Sequence, residues 1–303
     1  MKTILSVIPL LFLLFSCYNE TELPDTGLSV ELYVEVGGKS SSKTATGADG
    51  SVTFTGGDRI GMFTEGRENP VVWTFVNSRW SNTESVKWSD RTGCFEFLAY
   101  YPCLESSGAT RISVPMPDLS EQSGDISDIG EKDFLVGRCL SSYSDNNGVV
   151  SFSGENSFSH VFSLLYLNIV NEDSESEVTL SECEFSGDGI VTPHVYSFES
   201  SSMEKSGGVE KSVLQIKDLS SLSGIAVLIN PVLLDTPLRF TLLYIRNGRK
   251  YHASASLGND FPAATFSKVT LRIVGGNLVM TGCEVRDWNI VTLDDIVLIG
   301  SSM

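Results

Sequence analysis

Histidines, cysteines and paired carboxylates usually carry acid–base or metal chemistry, and here their number and spacing offer little of it. Only three of the 303 residues are histidine: His160, His194 and His252. His160 stands among Phe158, Val161 and Phe162, surroundings that suit a buried neutral imidazole with one hydrogen bond better than a ligand or a base. Asp294 and Asp295 are neighbours, and on any strand they point to opposite faces, the wrong geometry for paired-carboxylate catalysis. No serine stands in a nucleophile elbow. Gly56-Gly57-Asp58-Arg59-Ile60-Gly61 looks like a phosphate loop, but it lacks the G-x-G-x-x-G spacing and runs on into strand-like Met62-Phe63. It reads instead as a turn in which the glycines take positive φ and Asp58 caps backbone N–H groups. The expectation is a protein that is not an enzyme, with no metal and no cofactor.

One cysteine does have a chemical context. Residues 1–16 carry a single charge, Lys2, and an apolar run from Ile4 to Phe15. That run is too short to span a bilayer and has the shape of a secretory signal peptide. It ends in Leu14-Phe15-Ser16-Cys17, which resembles a bacterial lipobox. A thiol at Cys17 would take the diacylglycerol thioether, so the expected product is a lipoprotein anchored in a membrane rather than spanning it. Cutting before Cys17 removes Lys2 and no acid, which moves the formal charge from −17 to −18. The other five cysteines, Cys94, Cys103, Cys139, Cys183 and Cys283, match no zinc spacing. A chain this long does not need disulfide staples, so most are read as small buried apolar residues, with no bridge, Cys94–Cys103 included, singled out by the sequence.

Charge narrows the partners. With 21 basic against 38 acidic residues there is no positive excess to neutralise phosphates, which excludes a nucleic-acid partner. Four tryptophans, Trp73, Trp80, Trp88 and Trp288, could stack on sugars. Trp88 and Trp288 sit in alternating apolar contexts that favour a core, whereas Trp73 and Trp80 look freer. They keep open an alternative reading, a monomeric surface lipoprotein that binds a glycan or a host protein.

Positioning such residues falls to strands. Helical periodicity is nearly absent, and short alternating runs separated by Gly, Ser, Asn and Pro predict an all-β fold. Asn247-Gly248 between Tyr244 and Tyr251 predicts a two-residue hairpin turn. Asn147-Gly148 predicts the turn before Val149–Phe152, and Gly275-Gly276-Asn277 links two further runs. Leu32, Val34 and Val36 continue an alternation begun at Val30, separated by Glu31, Tyr33 and Glu35, so one face of this first strand can be buried. Residues 37–51, GGKSSSKTATGADGS, have a flexible, protease-accessible composition. Asn171–Glu177, NEDSESE, holds nothing to bury and marks a domain boundary. Pro117–Asp133 reads as a long surface loop.

In order along the chain, several segments resemble the fimbrillin family, lipoprotein subunits of type V pili in Bacteroidales. They are Phe54-Thr-Gly-Gly-Asp-Arg-Ile-Gly-Met-Phe63, Val86-Lys-Trp88 with Phe95–Pro102, Asp133-Phe-Leu-Val-Gly137, Phe158–Leu165, Asn230-Pro231 and Cys283-Glu-Val-Arg-Asp-Trp288. The resemblance implies two β-sandwich domains of transthyretin-like Greek-key type, here expected over residues 30–170 and 171–303. Residues 1–16 would then be the signal peptide, and 17–51 the lipid tether, first strand and linker. It also implies that a protease cuts the linker, removes the first strand and lets a strand from another subunit fill the groove.

The candidate processing site is Lys43-Thr44, and the linker departs from the family pattern in holding Lys39 and Lys43 but no arginine before Arg59. The candidate donor strand is the tail, with Ile290, Val291, Leu293, Ile296 and Leu298 on its apolar positions. Insertion of one subunit's strand into the next does not close on itself, so the expected partners are other fimbrial subunits in a filament.

Overall fold

Side chains alternate across a strand, so a run with an apolar residue at every second position is stable only where one face meets a core. Most of this chain is built that way. The computed structural model describes residues 28–36, 54–104, 108–172, 177–221, 224–274, 277–286, 291–293 and 300–302.

The first half lays down β1 (Glu31–Val34), β2 (Arg59–Phe63), β3 (Val71–Val76), β4 (Arg79–Ser81) and β5 (Phe95–Tyr101). Then come β6 (Val114–Pro115), β7 (Leu135–Ser141), β8 (Val149–Phe152) and β9 (Ser159–His160). The second half opens with β10 (Ser163–Asn171), β11 (Val178–Ser186), β12 (His194–Ser197), β13 (Ser202–Lys205) and β14 (Val213–Ile216). β15 (Gly224–Ile229), β16 (Val232–Leu233), β17 (Arg239–Arg246), β18 (Arg249–Ser256) and β19 (Asp260–Phe261) follow. β20 (Phe266–Val274), β21 (Asn277–Arg286), β22 (Val291–Leu293) and β23 (Gly300–Ser302) complete the described strands. Among the described residues the α-helices are single turns, α1 (Ile129–Lys132) and α2 (Tyr143–Asn146). The fold is all-β.

An antiparallel six-stranded sheet runs β4-β3-β2-β5-β7-β9, and β1 pairs in parallel with β8. One core lies between them: Leu28, Val30, Leu32, Val34 and Val36 meet Ile60, Met62, Trp73, Trp88, Phe97, Val150, Phe152 and Phe158. Two five-stranded sheets, β15-β10-β20-β21-β22 and β14-β11-β17-β18-β23, enclose a second core centred on Leu164, Leu167, Phe185, Leu228, Phe240 and Leu271. Phe63, Leu98 and Tyr100, from the six-stranded sheet, belong to this second cluster.

Local chemistry explains the joints. β17 and β18 form a hairpin through Asn247 (φ 47°) and Gly248 (φ 73°), the left-handed pair expected there. Asn147 (φ 51°) ends α2 and Gly148 (φ 87°) turns the chain into β8.

Two segments pack differently from what their local composition suggests. β10 precedes the boundary expected at residue 171, yet it pairs with β15 and β20, and Leu164, Leu165 and Leu167 lie in the second core. Strand partners more than 50 residues away decide where β10 belongs. Pro117–Asp133 is not a simple surface loop: Leu119 and Ile129 are buried in the second core.

Candidate functional site

The site is the slot that β1 fills. Its occupant needs hydrogen-bonding partners on both sides, and both exist. On one side Val30 N–H donates to the Val86 carbonyl at 3.0 Å, and Trp88 N–H donates to the Leu28 carbonyl at 2.9 Å. On the other, Glu31 N–H donates to Gly148 O at 3.0 Å and Glu35 N–H to Phe152 O at 2.8 Å. Phe158 N–H returns the pattern to Glu35 O at 2.8 Å. β1 is thus an inserted strand, antiparallel to residues 86–88 and parallel to β8.

Five side chains at alternate positions, Leu28, Val30, Leu32, Val34 and Val36, are buried, each no more than 8% exposed. Glu31 and Tyr33 face out, and the Tyr33 hydroxyl donates to Glu35 Oε1 at 2.8 Å. Burying one such aliphatic side chain stabilises by about 1.5–3 kcal/mol, so the five from Leu28 to Val36 together contribute on the order of 10 kcal/mol as an upper bound. That is comparable to the net stability of a whole domain.

Sequence reasoning did not foresee what holds the walls together. The Trp88 indole Nε1 donates to Gly148 O at 3.0 Å, linking the wall at 86–88 to the wall at β8. Tyr143 of α2 meets the Trp88 ring edge-on at 6.3 Å, and the Arg91 guanidinium stacks over Tyr143 at 5.4 Å. At Gly137 of β7 an added Cβ would collide with the rings of Phe158 and Phe152, so the floor under the slot requires glycine.

The other motif residues are structural too. In the 54–63 segment Gly57 takes φ +101°, Thr55 N–H donates to Asp58 Oδ2, and Tyr101 Oη donates to Asp58 Oδ1 at 3.2 Å. His160 is buried, its Nδ1 2.6 Å from Asp133 Oδ2. The Asn230 amide is buried and donates to Gly189 O and Thr192 O, both at 2.8 Å, holding a tight loop. Among the described residues no cluster of three or more His, Cys, Asp or Glu could hold a metal.

The sugar-stacking surface is corrected. Trp73 is 2% exposed within the first core, and Trp80 is half-buried against Phe54 and Phe75, each with ring centroids 5.0 Å away. Cys94, Cys103, Cys139 and Cys183 are free thiols, Cys94 exposed and the rest buried.

Cys17, Lys43, Thr44, Trp288, Ile290, Ile296 and Leu298 lie outside the described residues. The backbone of Val291–Leu293 is β22, paired with β21 of the same chain, and β23 pairs with β18. No described helix is long and apolar enough to cross a membrane.

A family model described as "Fimbrillin-like" matches residues 43–288. No curated protein matches the sequence. Among solved structures, a candidate cell adhesion protein from Bacteroides uniformis superposes with a TM-score of 0.60 at 15% identity, over 86% of this chain and 99% of that one. Another from Bacteroides ovatus gives 0.60 at 13% identity, over 87% and 98%. At these identities the likeness is one of fold.

Proposed function

The chain belongs to the fimbrillin-like family, and from that premise we propose that it is a non-catalytic fimbrial subunit assembled by exchange of its first strand. In this reading the two cores are those of two β-sandwich domains of transthyretin-like Greek-key type. The protein is exported as an outer-membrane lipoprotein anchored through Cys17, and subunit-to-subunit contacts carry its role in adhesion.

The observation that supports strand exchange is the segment Leu28–Val36 that contains β1: five alternate buried side chains, hydrogen bonds on both edges, and a continuation into the later strands through residues 37–53. A cut at Lys43-Thr44 severs the covalent link on which the tether and β1 both depend, because Cys17 and β1 lie upstream of it. β1 then stays in place only by non-covalent contacts and can be displaced. An empty slot would forfeit most of the first core's stability, so a new strand must take it. The tail from Ile290 to Leu298 is the segment this chain offers to the slot of a neighbouring subunit. Burial of Trp73 removes the main support for a glycan-binding monomer.

The test is a protein with an engineered protease site in residues 37–51, cut under native conditions and then mixed with a fluorescent peptide covering Leu28–Val36. Incorporation of the peptide into the cut protein, with none into the uncut protein, is expected. Equal behaviour of the two proteins would remove the proposal.

A further inference from the structure

We infer that this chain's slot does not accept this chain's own tail, so the strand that replaces β1 comes from a different polypeptide, one with apolar residues at five successive alternate positions. The inference rests on the strand-exchange reading above and names the partner that reading leaves open.

The slot sets the requirement. Its sites are those of Leu28, Val30, Leu32, Val34 and Val36, and the central one, Leu32, lies in register with Val150, itself fully buried. The lining is apolar and aromatic. Among the described residues no lysine or arginine is buried, so a carboxylate at the central site would find no buried cation to pair with.

The tail reads Asn289-Ile-Val-Thr-Leu-Asp-Asp-Ile-Val-Leu-Ile-Gly300. One alternation is Val291, Leu293, Asp295, Val297, Ile299; the other is Ile290, Thr292, Asp294, Ile296, Leu298. Each is centred on an aspartate. Because the acid is at the middle, running the tail parallel or antiparallel through the slot makes no difference: Asp294 or Asp295 falls on the Leu32 site either way. Sliding the register does not rescue the fit. Shifts toward the N-terminus bring in Asn289, Trp288 or Asp287 while keeping an aspartate, and shifts past Asp295 bring in Gly300, Ser301 and Ser302. Burying an unpaired carboxylate costs far more than the missing aliphatic contact.

The partner's chemistry follows from the mismatch. The incoming strand is uninterrupted by acid, glycine or serine over five alternate positions, as β1 is. Supplied with its own kind alone, the chain does not grow a filament through full-length insertion; it occupies a place in a mixed assembly, accepting one kind of strand and offering another.

The experiment uses the full chain, cut natively in residues 37–51, and three labelled peptides: Leu28–Val36, the wild-type tail 289–302, and the same tail with Asp295→Val. That one substitution completes the series Val291, Leu293, residue 295, Val297, Ile299. Expected is capture of the first and third peptides, with half-saturation by the wild-type tail weaker by about a hundredfold or more. Capture of the wild-type tail within about tenfold of the Leu28–Val36 peptide overturns the inference and leaves strand exchange standing. Failure of the Leu28–Val36 peptide itself to enter overturns strand exchange, and the inference with it.

Discussion

Cys94 is exposed whereas Cys103, Cys139 and Cys183 are buried, and burial decides what each thiol can do. Loss of solvent holds the Cys103 and Cys183 thiols above the ordinary 9.0, and it pushes Cys139 to about 12, with Cys94 nearby adding to the effect. Burial likewise raises the Tyr196 and Tyr244 hydroxyls. Each of these groups ionises at lower pH in the unfolded chain than in the folded one. Their contribution to stability is therefore complete below about pH 9 and is lost as pH rises toward 12. Thermal unfolding followed by circular dichroism should show a melting temperature steady from pH 7 to 9 and lower by several degrees at pH 11. A flat profile to pH 11 would contradict the burial of these thiols and phenols. A maleimide at pH 7.5 should correspondingly label Cys94 and spare Cys139 and Cys183 until the protein is unfolded. Trp73 teaches the converse lesson: Val71, Trp73 and Phe75 alternate with Val72, Thr74 and Val76, so both faces carry apolar residues and period alone did not say which goes inward.

The outer edge of β15 shows how an element is protected. Gly-Ile-Ala-Val-Leu-Ile at 224–229 is wholly buried and ends its sheet, the kind of edge that templates association. Gln122 caps it with one amide: Leu228 N–H donates to Gln122 Oε1 and Gln122 Nε2 donates to Leu228 O, both at 2.8 Å, while Ala226 N–H donates to Gly124 O at 2.8 Å. Gly124 takes φ +83°, and Ile216 and Leu219 carbons lie 3.2 Å from where its Cβ would be, so the approach needs a glycine. Gln122→Ala leaves both polar groups of Leu228 without their partner, and a loss of about 1–3 kcal/mol is expected in denaturant unfolding, with faster amide exchange at Leu228. Unchanged exchange there would mean that the cap is ornamental. None of this was legible beforehand, since Gln122 and Leu228 meet across 106 residues. What was legible was local. Alternation gave β1 its buried face, and Asn-Gly pairs gave the turns before β8 and between β17 and β18. The allegiance of β10 was not, because its parallel partner β20 lies about a hundred residues on and carries no local signature.

Two cores share one sheet, and that arrangement decides what the molecule loses when β1 leaves. β2 and β5 send Ile60, Met62, Phe97 and Ala99 into the first core and Phe63, Leu98 and Tyr100 into the second. Across the junction Phe63 meets Phe198 edge-on at 6.0 Å, Arg138 donates to Phe198 O, and Phe198 N–H donates to Arg111 O at 2.9 Å. β6 pairs with β12, so the backbone crosses as well. Yet all five buried residues from Leu28 to Val36 lie in the first core and none in the second. Removing β1 should therefore open one side of the six-stranded sheet while the other stays sealed. Hydrogen exchange read by mass spectrometry, on full chain cut in the linker and stripped of β1 in mild denaturant, should show β8 and residues 86–88 losing protection by about a hundredfold or more. β10, β15, β17 and β20 should keep theirs. Loss of protection in both sets together would mean that the junction transmits the opening, and a subunit awaiting its new strand would then be unfolded rather than half-built. Retention in the second set leaves a rigid body against which the opened walls of the slot can close on a new strand.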